Sequence, residues 1–224
     1  MIQHSFADFQ FTRPLFSDRV ALAWADPRAP MPPLMGDEVL SVEQVAPKRA
    51  REFGAGRAAA RAAMDLLGHA ARPILQGDDR APVWPQGLVG SITHSDRDCL
   101  AVVTDDPEIR SLGLDLEPMV ALDPALWPEI CTDTEREWLA SLGPSQRGNF
   151  AKLVFSAKEA VYKAQYPLSK TLIGFHAITL NFDLASNSFT ARFTRDVPGF
   201  DARHLIDGRF AFLSGNLITG VELR

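Results

Sequence analysis

The chain has 224 residues, of which 46% are hydrophobic, 23% charged and 9% aromatic, with a formal net charge of -5. This excludes a disordered, collagen-like or low-complexity protein and leaves room for one large domain or two small ones around a sizeable core. No apolar run reaches a membrane span, Met1 to Asp8 lack the pattern of a secretory leader, and Cys99 and Cys131 lack disulfide-framework or zinc spacing, so a cytoplasmic protein is expected.

Residues 26–36, rich in proline, predict a surface loop. Residues 48–67 predict an alanine-rich helix with Phe53, Ala60, Met64 and Leu67 inward, stopped by Gly68. Residues 69–87 read as loop. Two strands follow at 88–93 and 99–104, forming a hairpin with His94 where strand becomes loop. A third strand, 111–117, alternates Leu112, Leu114 and Leu116 with Gly113, Asp115 and Glu117, and ends at Pro118. A short helix is expected over 134–142, with a Thr134-x-x-Glu137 capping box and a stop at Gly143-Pro144. A second long helix is expected over 148–166, stopped by Pro167. The tail predicts strands at 177–183 and 189–193 around Ser186-Asn187-Ser188, then 210–213 and 217–223 around Ser214-Gly215-Asn216. The pattern predicts an α+β protein of two similar subdomains, 1–108 and 109–224, each with a long helix and antiparallel strands.

Charge is unevenly distributed along this layout. Residues 48–61 carry Lys48, Arg49, Arg51, Arg57 and Arg61 against Glu52, a balance of +4. Residues 105–137 carry ten carboxylates against Arg110 and Arg136, a balance of -8, and residues 147–170 return to +4. Such segments suit solvated faces, or a polyanion held partly by cations and partly through a metal. The acidic average argues against a general nucleic-acid binder.

Asp115 and Glu117 share a strand face with Cα atoms roughly 6–7 Å apart, a spacing that lets two carboxylates converge on a hard cation and equally suits a solvated face. On the second long helix Lys152, Ser156, Glu159 and Lys163 stack on one stripe against a largely apolar circumference. That stripe reads either as an exposed face with a Glu159–Lys163 ion pair or as a cleft lining for a metal-bound phosphate. His94 reads as a half-buried loop histidine or a ligand contact. P-loop, GxGxxG, HExxH and GxSxG signatures are absent, and oxygen donors with basic residues favour magnesium.

Gly90-Ser91-Ile92-Thr93-His94-Ser95, Gly113-Leu114-Asp115-Leu116-Glu117 and Phe155-Ser156-Ala157-Lys158-Glu159-Ala160-Val161-Tyr162-Lys163 resemble, in order, the three signatures of 4'-phosphopantetheinyl transferases of the surfactin and enterobactin synthase type. Arg49 to Arg61 resembles that family's N-terminal arginine-rich helix, and Pro82-Val83-Trp84-Pro85 the segment before its histidine strand. The resemblance implies a pseudo-twofold monomer that binds coenzyme A between its halves and moves phosphopantetheine to a carrier-protein serine, releasing adenosine 3',5'-bisphosphate. It implies magnesium, with manganese as an alternative, on Asp115, Glu117 and Glu159. It implies coenzyme A phosphate contacts at Arg49, Arg57 and His94, pyrophosphate contacts at Lys158 and Lys163, and Glu159 as base, directly or through a water. Gln76 stands where some relatives carry lysine, with Arg80 as a substitute, and Phe155 replaces a tryptophan. Lys152, Lys170 and Leu172-Ile173-Gly174-Phe175 read either as a solvated helix end and ordinary core or as candidates for docking an acyl, peptidyl or aryl carrier of siderophore, nonribosomal-peptide, polyketide or fatty-acid synthesis. A magnesium-dependent phosphoesterase or nuclease and a noncatalytic carrier-binding homologue are the alternatives.

Overall fold

In the computed structural model, residues 15–213 and 215–224 are described; Met1 to Asp8, read above for a leader, and Ser214 of the expected turn lie outside them. The first half places β1 (Ala21–Ala25), α1 (Pro47–Leu66), the two-residue strands β2 (Leu75–Gln76) and β3 (Pro82–Val83), and the hairpin β4 (Val89–His94) and β5 (Cys99–Thr104). The second places β6 (Ser111–Pro118), α2 (Trp127–Ile130), α3 (Asp133–Ser141), α4 (Pro144–Ser169), then β7 (Ile178–Asp183), β8 (Ser188–Phe193), β9 (Leu205–Leu213) and β10 (Asn216–Leu223). The strands form an antiparallel sheet in the order β1-β5-β4, another in the order β6-β10-β9-β8-β7, and the β2-β3 ladder. This is the expected α+β class, with one long helix across each larger sheet. Among the described residues no helix is long and apolar enough to cross a membrane.

Helix α1 begins with Pro47 at its first position and ends where Gly68 takes φ +81°, a conformation that costs glycine little. Its small inner residues Ala59, Ala60 and Ala63, with Met64, pack on Ala101 and Val103 of β5. Helix α4 packs Leu153, Val154, Ala157, Ala160 and Val161 against the second sheet.

The solvated face allowed for β6 is absent. Its leucines Leu112, Leu114 and Leu116 join Leu100 and Val102 of β5 in one core, while Gly113 and Asp115, also buried, face α4. The sheets meet edge to edge at β4 and β6 through side chains rather than a ladder. The Leu114 N–H donates to Ser91 Oγ at 3.1 Å and the Leu116 N–H to Thr93 Oγ1 at 3.2 Å. Each bond satisfies a buried backbone donor that would otherwise cost about 1–3 kcal/mol.

Gly113 sets how closely α4 approaches. A Cβ there would lie 1.9 Å from the Ala160 carbonyl oxygen and 3.0 Å from Ala164 Cβ, so the helix would have to lift from the sheet. Gly113→Ala is expected to destabilise the protein by about 3 kcal/mol, read as a lower denaturant midpoint at unchanged slope.

Several elements differ from expectation, among them β9, which begins at Leu205 rather than at 210. Helix α3 is capped by Thr132, with Glu135 as the reciprocal partner, because Glu135 rather than Glu137 turns inward. Helix α4 starts at Pro144 and runs through Pro167 to Ser169, closing on Lys170 at φ 51°. Pro167 is tolerated because it stands in the last turn, where few intrahelical bonds remain to lose. Strand β1 escaped prediction: Ala-Leu-Ala-Trp-Ala has low strand propensity and is held by pairing with β5.

Candidate functional site

Beyond Gly113, the next residues on the same face of β6 bring carboxylates to α4. Asp115 is 4% exposed; its Oδ2 accepts from Ser156 Oγ at 2.8 Å and its Oδ1 from Lys163 Nζ at 2.7 Å. Lys163 Nζ also reaches the Leu114 carbonyl at 3.1 Å and Thr93 Oγ1 at 3.4 Å, tying α4, β6 and β4 at one point. One pleat on, Glu117 Oε2 accepts from Lys152 Nζ at 3.0 Å. The stripe Lys152, Ser156, Glu159 and Lys163 thus lies along the seam between the halves, and in place of the Glu159–Lys163 pair of the exposed-face reading Lys163 pairs with Asp115.

Glu159 is the exception in this network. Among the described residues its side chain makes no hydrogen bond and no ion pair, though the residue is only partly exposed. Burial raises its pKa, Lys163 opposes, and the charges of Asp115 and Glu117 raise it further. Burial likewise raises the pKa of Glu117. Glu159 borders a cavity of about 220 Å³ walled by Tyr162, Ile173, Phe175 and Ile178.

On the other side of the seam, Arg49 Nη1 lies 2.7 Å from His94 Nε2, so the imidazole accepts and Arg49 donates. Glu52 Oε2 approaches His94 Nδ1 at 3.8 Å and Arg49 Nη1 at 3.5 Å. Burial lowers the His94 pKa; Glu52 opposes, and Arg49, Lys163 and Lys48 lower it again. The two cationic clusters therefore meet at successive residues of β4, Lys163 at Thr93 and Arg49 at His94. Arg57 is buried, donates to the carbonyls of Ile74 at 2.9 Å and Leu75 at 3.3 Å, and lies 3.9 Å over the Phe53 ring. Burial pushes its pKa down to about 10, still protonated at neutral pH. Arg61 is withdrawn into a pair with buried Glu38 at 2.8 Å. The Gln76 amide donates to the Arg80 carbonyl at 3.3 Å.

Lys158 lies in the interior. Expected at a pyrophosphate, it is 1% exposed and donates to Glu135 Oε2 at 2.7 Å and to the carbonyls of Ile130 and Phe175 at 2.8 and 2.9 Å. An ammonium has three protons, and all three are engaged. Lys152 and Lys170, the docking candidates, pair with Glu117 and with Asp79 at 3.3 Å, while Leu172 remains 75% exposed. Thr93 and Glu135 were missed as site-forming residues. The Thr132-x-x-Glu135 pattern was available in the sequence for the second, but strand alternation gives no sign that a hydroxyl will reach across to another sheet.

Among the described residues no three histidine, cysteine or carboxylate side chains stand together as a formed metal site. The donor set nonetheless fits a hard divalent cation: Asp115, Glu117 and Glu159 offer only oxygen, and each of the first two raises the pKa of Glu159, so full ionisation is favoured by an added cation.

Residues 37–104 match the family model of the 4'-phosphopantetheinyl transferase N-terminal domain, and residues 111–213 that of the 4'-phosphopantetheinyl transferase superfamily. The chain is 37% identical over 200 residues to a 4'-phosphopantetheinyl transferase of Streptomyces mobaraensis, covering 88% of this chain and 81% of the relative. It is 37% identical over 201 residues to one of Mycobacterium tuberculosis, covering 90% and 83%. With enterobactin synthase component D of Salmonella typhimurium it shares 41% identity over 133 residues, 58% of this chain and 53% of the relative.

Proposed function

From the membership of this chain in the 4'-phosphopantetheinyl transferase superfamily, we propose that it moves phosphopantetheine from coenzyme A to a serine of an apo acyl or peptidyl carrier protein at the seam between β6, α4 and β4. The observation that carries this placement is Glu159, a partly buried carboxylate with no hydrogen bond among the described residues, beside the Asp115–Lys163 pair. Residues 1–108 supply the phosphate side through Arg49, Arg57 and His94, and residues 109–224 the carboxylate side. Arg57, fixed by two carbonyls, would meet a phosphate with little ordering cost.

The serine oxygen attacks the β-phosphorus of the pyrophosphate, the bond from that phosphorus to the bridging oxygen breaks, and adenosine 3',5'-bisphosphate leaves with the electron pair. Glu159 takes the serine proton, directly or through a water. Lys163, fixed by Asp115 and the Leu114 carbonyl, presents positive charge where the leaving group gains negative charge. Asp115, Glu117 and Glu159 would hold a magnesium or manganese ion, which when bound offsets the charge of the pyrophosphate oxygens. The protein acts as a cytoplasmic monomer, a setting that its two free, buried thiols suit.

The test is intact-mass spectrometry of apo acyl, peptidyl and aryl carrier proteins incubated with coenzyme A, Mg²⁺ and the enzyme. A gain of about 340 Da, the phosphopantetheine group carried by coenzyme A, is expected on the cognate carrier, and the carrier modified fastest identifies the pathway. Coenzyme A binding without any gain on any carrier would favour the noncatalytic homologue.

His94 supplies an independent check of the phosphate side. In the free protein its ring is expected to titrate below the ordinary value of 6.5, since burial and three cations disfavour the imidazolium. Adenosine 3',5'-bisphosphate reverses that balance by adding negative charge, so the ring pKa followed by NMR should rise. A value that does not move would remove His94 from the phosphate contacts.

A further inference from the structure

Lys158 and Glu135 form a closed polar unit that the transfer reaction as described leaves unused. Beyond its bond to Lys158, Glu135 accepts from the Thr132 N–H at 2.7 Å and the Leu180 N–H at 2.8 Å. The unit therefore ties three segments to one turn of α4: the end of α2, through the Ile130 carbonyl; the cap of α3; and the stretch from Phe175 to Leu180. Two residues 1% exposed in an ion pair gain little stability over an apolar pair of the same volume. What the pair does provide is fixed geometry. The next residue on α4 is Glu159, and the Phe175 segment that Lys158 holds is the opposite wall of the cavity beside it.

We propose, resting on the transferase reading, that Lys158 and Glu135 are positioning residues for the transfer: their ion pair pins the 173–178 wall to the helical turn that carries Glu159 and so fixes the space in which serine hydroxyl and reacting phosphate meet. Neither residue touches the Arg49, Arg57 and His94 side, so the effect falls on turnover rather than on coenzyme A binding.

Lys158→Met alone strands the Glu135 charge in the interior and endangers folding. The double variant Lys158→Met/Glu135→Gln removes both charges and keeps an acceptor for one of the Thr132 and Leu180 N–H groups. Parent and double variant are compared by calorimetry with coenzyme A, by turnover on a carrier that the parent modifies, and by hydrogen exchange. For the folded double variant, coenzyme A affinity should stay within about twofold and kcat should fall about tenfold or more, the scale of a misplaced reacting pair. Exchange over residues 173–180 should quicken about tenfold while β8 and β9 stay protected. Unchanged kcat, unchanged exchange over 173–180, or loss of coenzyme A affinity parallel to kcat would each overturn the positioning role. A parent enzyme that modifies no carrier sinks the transferase reading instead, and exchange over 173–180 still decides whether the pair pins the wall.

Discussion

Glu159→Gln is expected to lower turnover by about 10²–10⁴-fold, the range for loss of a general base, while leaving coenzyme A affinity within about threefold. The side chain keeps its size, and among the described residues the parent carboxylate has no hydrogen bond to lose, so packing and the Asp115–Lys163 pair survive the change. A general base works only when deprotonated. Burial, and then Asp115 and Glu117, raise the Glu159 pKa against the opposing pull of Lys163, whereas a bound cation favours the carboxylate, so the acid limb of turnover in the parent should move to lower pH as Mg²⁺ is raised. That acid limb should vanish or shift in the variant, where no carboxylate titrates at this position. Equal losses of turnover and coenzyme A affinity, measured by single-turnover kinetics and calorimetry, would count against the base role.

Asp115→Asn is expected to reduce turnover about 10²–10³-fold, the cost of removing one preorganised electrostatic group, with a melting temperature close to that of the parent. The amide can replace the carboxylate bond for bond: its oxygen accepts from Lys163, its nitrogen donates to Ser156 Oγ, and Ser156 turns its proton toward Thr219 Oγ1, 2.9 Å away. What is lost is the negative charge, hence a cation ligand and the neutralising partner of Lys163. Asp115→Ala would confuse these effects by leaving Ser156 and Lys163 unpaired. Turnover at the parent level in a folded Asp115→Asn protein would remove Asp115 from the reacting centre.

Local pattern determined much of this protein. Helical periodicity and glycine stops place α1 to within a residue or two, and alternation places β4, β5, β6, β7, β8 and β10, because these signals arise between near neighbours in the chain, whereas β9 starts at Leu205, ahead of the expected 210. The acidic pair on β6 and the Lys152, Ser156, Glu159, Lys163 stripe are likewise visible as spacing. Tertiary structure decided how they are partnered. Lys158 and Lys163 are equivalent lysines in a one-dimensional reading, yet one points among Ile130, Glu135 and Phe175 and is fully committed, and the other reaches the seam beside Asp115. Strand β6 alternates like a half-solvated strand but is buried on both faces, since α4 closes over Gly113 while Ser91 and Thr93 bring β4 to its edge. Spacing along the chain fixes which side chains share a face, whereas burial and charge pairing depend on segments tens of residues away, and only folding brings those together.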